Sequence, residues 1–406
     1  MDKTVRNLLL LVRVVVLVIV SFVMNPLYTL VRMNITVKLV LLAVLLAVVL
    51  VLLVIYLPEG IHLYYLATPL YILSDTLRGQ SHFPDLAQDI VGFRALIYHQ
   101  DPYPILGPAL KTFGLDPYIL HASTHPPTAY LLVAPVAFLP WPLASSLWAW
   151  LMVAGIIMAF RAYGLSWKAS IGVGLISLLW PPVIWSLSQI TVIWLLGAAL
   201  AYRFRNDHPF LAGICIAIAS MTKFMPALFI IPFMLRRKWS AVAGFLVFWA
   251  VMLVAILALW PSLIARYIES SQVAVPYNVS RDDNGSFLTV PFGLMGPAGI
   301  VIVAPVILSV LWAIHKVWRD DLKVWDLISY LSVALLPIAW IYSLLPLLPG
   351  FVLRKDKALW VLMLVPIVAP PFGELSRNFV FATIALYGVI VALGTLAPKS
   401  PLATIT

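Results

Sequence analysis

Charged side chains in this 406-residue chain are confined to short turns and two polar loops, and nearly everything between them is apolar. Apolar residues make up 63% of the positions and charged ones 10%, and the mean hydropathy is +1.02. A core shielded from water cannot hide that much apolar surface, so lipid must be the solvent for most of the chain. Backbone groups in lipid must be satisfied within their own segment, which predicts an all-α, polytopic transmembrane protein. At about 20 apolar residues per crossing, the length allows roughly eleven to thirteen membrane helices and one or two sizeable loops. The 31 prolines and 20 glycines are compatible with that, because neighbouring membrane helices re-satisfy freed backbone groups.

The basic residues do not form one face, which argues against nucleic acid as a partner despite a sequence pI near 9.6. They sit in short turns instead: Arg32 with Lys38, Arg161 with Lys168, Arg203 with Arg205, and Arg236–Arg237–Lys238. Lys316, Arg319 and Lys323 follow, then Arg354, Lys355 and Lys357, and finally Lys399. These are the expected cytoplasmic points. The outward segments are then a polar island at 78–126, the turn at Ser188–Gln189, the stretch from Pro261 to Thr289, and the turn around Glu374. The island is the largest and carries short amphipathic pieces, such as residues 103–114. The run after Pro126–Pro127 is too short to cross and reads as a short or re-entrant helix. The basic–apolar start has no small-residue cleavage site and reads as a membrane helix rather than a removable signal. One membrane domain is expected, with an N-terminal hydrophobic helix at 1–36, a loop-bearing catalytic module at 37–260 and more variable helices at 261–406. The lone cysteine, Cys215, excludes an internal disulfide.

The island holds the acids Asp85, Asp89, Asp101 and Asp116. Asp85 and Asp89 are four apart, so a helix places both on one face. A carboxylate against an apolar wall can act as a general base; two solvated loop acids are the alternative. Lys223 stands roughly 26 Å of helix from Arg205 and about 20 Å from the next basic cluster, near the outer edge of the bilayer. Such a lysine either snorkels or meets an anionic group, such as the phosphate of a lipid-linked substrate. Gln189 is a lone amide between apolar helices, interhelical glue or a sugar ligand. His125, just before a helix start, is an interfacial histidine or a ligand. Arg281, Asn284 and Ser286 form a second polar island, where Arg281 is a phosphate partner or a solvated charge. Asn278 and Asn284 both match the glycosylation acceptor pattern. No residue cluster has metal-ligand spacing and no glycine loop cradles a nucleotide, so neither a metal nor a cofactor is expected.

Taken together, these motifs resemble glycosyltransferase family 87, polytopic GT-C enzymes that use polyprenyl-phosphate sugars. Asp85 to Asp101-Pro102-Tyr103 is similar to the family's first outward loop, with His99 where its turn carries glycine. His125-Pro126-Pro127 resembles its Tyr-Pro-Pro element and Ser188-Gln189 its Gly-Gln pair. The block from Ala212-Gly213 through Lys223 to Trp239, and Asn284-Gly285-Ser286, have counterparts too. The family often carries Pro-x-x-Trp-x-His on a later helix. Here Pro337, Trp340 and Tyr342 occupy it, so a hydrogen-bond donor that does not titrate near neutral pH stands where histidine is expected. The resemblance covers roughly residues 40–350.

It implies transfer of a sugar, mannose first, from a polyprenyl-phosphate donor to a lipid or glycan acceptor. The reaction would take place at the extracytoplasmic face of the plasma membrane. Asp85, with Asp89 beside it, would be the catalytic carboxylates. Lys223, Gln189, His125, Arg281, Asn284, Ser286 and Tyr342 would bind substrate. The rival class is a polytopic transporter or lipid flippase without glycosyl transfer. Transporters place their charges at the midplane in repeated halves, whereas the polar residues here crowd toward one face and no internal repeat is visible.

Overall fold

The computed structural model describes residues 71–80, 84–103, 106–115, 123–354, 356–367 and 373–396. Every regular element among them is a helix, and all of them belong to one compact unit, Pro69–Thr406. The expected helix at 1–36, Arg32, Lys38, Asp116, Lys355 and Lys399 lie outside the described residues.

Among the described residues, four helices are long and apolar enough to cross a membrane: Trp141–Ala162, Trp239–Leu259, Thr289–Lys316 and Ser376–Thr395. Other apolar runs are divided into shorter helices, namely Thr191–Phe204, Pro209–Thr222, Met225–Leu235 and Ile341–Leu353. Proline explains the division. Pro209 opens one helix, and Pro226, Pro232 and Pro346 punctuate the others; each lacks the N–H that would continue the ladder. A count of apolar residues therefore does not convert run by run into full crossings. The run after Pro126 behaves as its length predicts. Helix Pro127–Leu132 has only 6 residues, turns follow, and the crossing begins at Trp141.

Helix Trp239–Leu259 turns Leu246, Val251, Val254 and Leu257 outward, a surface for which hydrocarbon is the natural solvent. Its other side packs on Pro209–Thr222 at a distance only glycine allows. A Cβ on Gly213 would lie 1.9 Å from the carbonyl of Ala241, and one on Gly244 would lie 2.1 Å from that of Phe210. Small residues let membrane helices approach this closely and gain dispersion contacts.

The basic turns meet at one end of this bundle. Arg205 Nε donates to Asp321 at 2.7 Å, and Arg236 pairs with the same carboxylate while donating to the Trp318 carbonyl at 2.6 Å. Lys238 Nζ reaches the Arg205 carbonyl at 2.9 Å and Asn206 at 2.6 Å. Helix Pro209–Thr222 leaves that end and runs 14 residues, roughly 21 Å, to Lys223. Lys223 has extended backbone, and the chain there turns back through Met225–Leu235. Lys223 thus stands at the tip of a helical hairpin, opposite the basic end.

Candidate active site

The site is assembled from the loop helix Pro84–Ile97, the segment after Ser123, the hairpin tip at Lys223, and the loops 281–289 and 336–342.

Helix Pro84–Ile97 begins with proline, which is pre-set for a first helical position. Asp85 in its first turn suits the helix dipole. Leu86, Ala87, Ile90 and Leu96 are buried, and Arg94 fastens the helix by donating to the carbonyls of Ala137 at 2.6 Å and Leu139 at 3.4 Å. Its end is closed by paired bonds from His99 N to Leu96 O and from Gln100 N to Ala95 O. That closure requires a left-handed residue, and His99 has φ 53°. This is the position where the family pattern carries glycine. The next turn is built by Asp101, whose carboxylate accepts from Tyr103 N at 2.9 Å. Tyr103 Oη then donates to the His125 carbonyl at 3.1 Å.

His125 is thereby brought against Asp89, with Nδ1 2.7 Å from the carboxylate. Both residues are buried, Asp89 1% exposed and His125 5%. Asp89, expected as a second catalytic carboxylate, faces His125 inside the protein and is positioned to hold that ring. Burial alone opposes a charged imidazole. The charge and hydrogen bond of Asp89 outweigh it, so the affinity of His125 for its proton rises above the ordinary value. No partner for Nε2 occurs among the described residues.

Asp85 differs. Its side chain keeps partial accessibility although protein surrounds it, and Gln88 Nε2 donates to it at 3.2 Å. Burial pushes its carboxyl above the ordinary range, while the charge of His125, the side-chain amide of Gln189 and the charge of Lys223 pull the other way. Gln189 itself is 3% exposed. The island, the Ser188–Gln189 turn and the hairpin tip therefore converge on one carboxylate.

Lys223 has neither an ion pair nor a hydrogen bond among the described residues; its ammonium lies over the Tyr342 ring, 5.4 Å from the centroid. Tyr342 packs edge-on to Trp340 at 5.6 Å, and the Arg281 guanidinium lies over Trp340 at 5.5 Å. Tyr342 Oη and Trp340 Nε1 are both buried without a hydrogen-bond partner among the described residues. A buried donor left unpaired costs about 1–3 kcal/mol, so these two groups are open to an acceptor that the described residues do not supply.

Arg281 is not a free charge, although its side chain stays 32% exposed. It forms a two-pronged pair with Asp283, with Nε at 2.8 Å and Nη2 at 2.7 Å from the two carboxylate oxygens. Asn284 and Ser286, expected to contact substrate, are bonded within the protein. Asn284 Nδ2 donates to Val279 O, Thr289 Oγ1 and Pro337 O, and its Oδ1 accepts from Ser286 N and Ala339 N. Ser286 Oγ donates to Leu336 O and accepts from Thr289 N, and Gly285 N donates to Ala339 O at 2.8 Å. Three consecutive residues thus stitch the second polar island to 336–339, and Trp340 and Tyr342 follow directly. Their polar atoms are fully committed to that seam. Asn278 and Asn284 are both 1% exposed, so neither acceptor-pattern side chain is available to a modifying enzyme in this fold.

Gln88, Tyr103, Asp283 and Trp340 are site residues that sequence reasoning did not single out. Tyr103 and Trp340 stood inside quoted motifs. Asp283, two residues after Arg281, offered a local pairing signal, whereas nothing in the sequence pointed to Gln88.

The family model of glycosyltransferase family 87 matches residues 124–343, just over half of the 406 residues. That span contains His125, Gln189, Lys223, Arg281 and Tyr342, and it begins after Asp85 and Asp89. No curated protein and no solved structure matches the chain.

Proposed function

Because the chain belongs to glycosyltransferase family 87, we propose that it moves a hexose, mannose first, from a polyprenyl-phosphate donor to a hydroxyl of a lipid or glycan acceptor. The acceptor oxygen attacks the anomeric carbon and Asp85 takes the hydroxyl proton. The bond from that carbon to the phosphate oxygen breaks, and polyprenyl phosphate leaves with the electron pair. Lys223 meets the charge that grows on the leaving phosphate, and Tyr342 Oη and Trp340 Nε1 donate to its oxygens. No cofactor enters this scheme.

The observation that carries the proposal is the convergence, from segments far apart in sequence, of one accessible carboxylate and one ammonium, beside two buried donors; the ammonium and both donors have no partner among the described residues. Burial suits both roles. It raises the proton affinity of Asp85 toward that of a useful base, and it strengthens the attraction between Lys223 and an anion. The apolar outer face of the bundle suits a donor that arrives through the bilayer. The extracytoplasmic side is supported by the clustering of the basic turns at the opposite end of helix Pro209–Thr222.

The test is transfer of labelled mannose from polyprenyl-phosphate mannose by the purified protein in vesicles. Asp85→Asn should lower transfer about 10²–10⁴-fold, the usual contribution of a general base, while donor binding survives. Lys223→Ala should weaken donor binding more than acceptor binding. Undiminished transfer by Asp85→Asn removes it from the base role. Movement of donor across the vesicle without cleavage would favour a flippase.

A further inference from the structure

Around Asp85 the mechanism above leaves one buried titratable group without a task. His125 is held on its Nδ1 side by Asp89 at 2.7 Å and on its backbone by Tyr103 Oη at 3.1 Å and Ser123 Oγ at 3.1 Å. Four groups from the island (Asp89, Asp101, Tyr103 and Ser123) therefore fix one imidazole. That is more support than an interfacial histidine needs. Its Nε2 lies on the opposite side of the ring from Asp89 and has no partner among the described residues, in a residue only 5% exposed. The ring is close enough to Asp85 and Lys223 to feel both charges. A carboxylate bonded to one ring nitrogen orients the imidazole and keeps its other N–H aimed outward as a donor.

We propose that His125, oriented by Asp89, is a second cationic contact to the donor's phosphate, so that the site holds its anion between an imidazolium on the island and the ammonium at the hairpin tip. This rests on the reading of the site as one for a phosphate-bearing donor. His125 touches the substrate; Asp89 is a positioning residue acting through it. The protonated ring contributes a charge-assisted bond, which the neutral ring does not. Donor affinity therefore falls as pH rises through the titration of His125. The charged groups that act on the ring are Asp85 and Asp89 on the loop helix and Lys223 at the hairpin tip; the phenol of Tyr103 meets the His125 carbonyl, and the ring of Tyr342 lies under Lys223.

The experiment measures binding of a short-chain prenyl methyl phosphodiester to the full-length protein in detergent. A diester is needed because the second proton of a phosphate monoester itself titrates near pH ~6. All arms carry Asp85→Asn, which removes that carboxylate's own titration. With His125 present, affinity should fall as pH rises, with a midpoint above the ordinary imidazole value of 6.5. His125→Gln, which can still bond to Asp89, should bind about tenfold or more weakly at the acid end, the loss expected for one charge-assisted bond. It should converge with the protein retaining His125 at the alkaline end. The difference between these two curves isolates the imidazole from any contribution of Lys223. Asp89→Asn should keep acid-end affinity and move the midpoint to lower pH. If His125→Gln does not fold, as judged by its melting curve, this midpoint shift carries the test alone. Binding that is unchanged by His125→Gln at every pH, or an unmoved midpoint in Asp89→Asn, overturns this inference and leaves the donor site standing. Absence of binding at any pH when His125 is present overturns both.

Discussion

Asn284 is where a contact with substrate and a structural role make opposite predictions. Its Oδ1 accepts from Ala339 N at 2.9 Å and Ser286 N at 3.2 Å. Its Nδ2 donates to Pro337 O at 3.2 Å, an acceptor that Thr289 Oγ1 also reaches at 3.1 Å. Asn284→Ala therefore strands two buried N–H donors, while the Pro337 carbonyl keeps one partner. At about 1–3 kcal/mol for each stranded donor, the cost is about 2–6 kcal/mol. Even the low end corresponds to a fall of roughly 2 °C in melting temperature for 406 residues, at about 2.1 cal/mol/K of unfolding entropy per residue. Gly285→Ala strains the same seam by another route, because a Cβ there would lie 2.5 Å from Val380 Cβ and 2.8 Å from the Arg377 carbonyl. Both variants should melt earlier in detergent, followed by tryptophan fluorescence. In molecules that remain folded, both should bind donor more weakly, because Trp340 and Tyr342 hang from the seam and Tyr342 supports Lys223. Parent-like melting of both variants together with lost transfer would refute this account and return Asn284 to the substrate.

Two further expectations concern the loop helix. The proton affinity of Asp85 is raised by burial, and the base works only when deprotonated. Transfer should therefore climb with pH along an acid limb above the ordinary carboxylate value of 3.8; full activity maintained down to that value would show that a different group titrates. The same shift favours the protonated form of the folded protein, so its contribution to stability is present below the ordinary value and is lost as pH rises through the raised one. His99→Gly, at φ 53°, should raise the melting temperature by relieving about 1 kcal/mol of left-handed strain, with transfer unchanged. A lower melting temperature would show that the imidazole makes a contact worth more than the strain.

The seam between 284–286 and 336–339 shows why sequence reading reached some site residues and misjudged others. Asn284, Ser286 and Tyr342 were visible as polar or aromatic exceptions in apolar surroundings, and the structure brings them into one seam and the segment that follows it. Their tasks were not visible. An asparagine that binds a sugar and one that satisfies two backbone amides are the same letter, and only the position of residues more than fifty places along the chain separates them. Asp89 is a parallel case. Its spacing from Asp85 correctly implied a shared helix, but which carboxylate stays accessible depends on His125, which arrives from another segment.

Composition alone determined that this protein lives in lipid and is helical, because too much apolar surface and too many backbone dipoles leave no other solvent and no other secondary structure. The alternation of basic turns and apolar runs likewise determined which ends lie together, since charge placement along a membrane chain is nearly a one-dimensional property. Only the tertiary structure decided that Lys223 has no anionic partner among the described residues, that Arg281 already holds Asp283, and that Asp89 faces His125. These are questions of pairing between distant segments. A charge in low dielectric is defined by its nearest neighbour, and that neighbour is chosen by packing rather than by spacing.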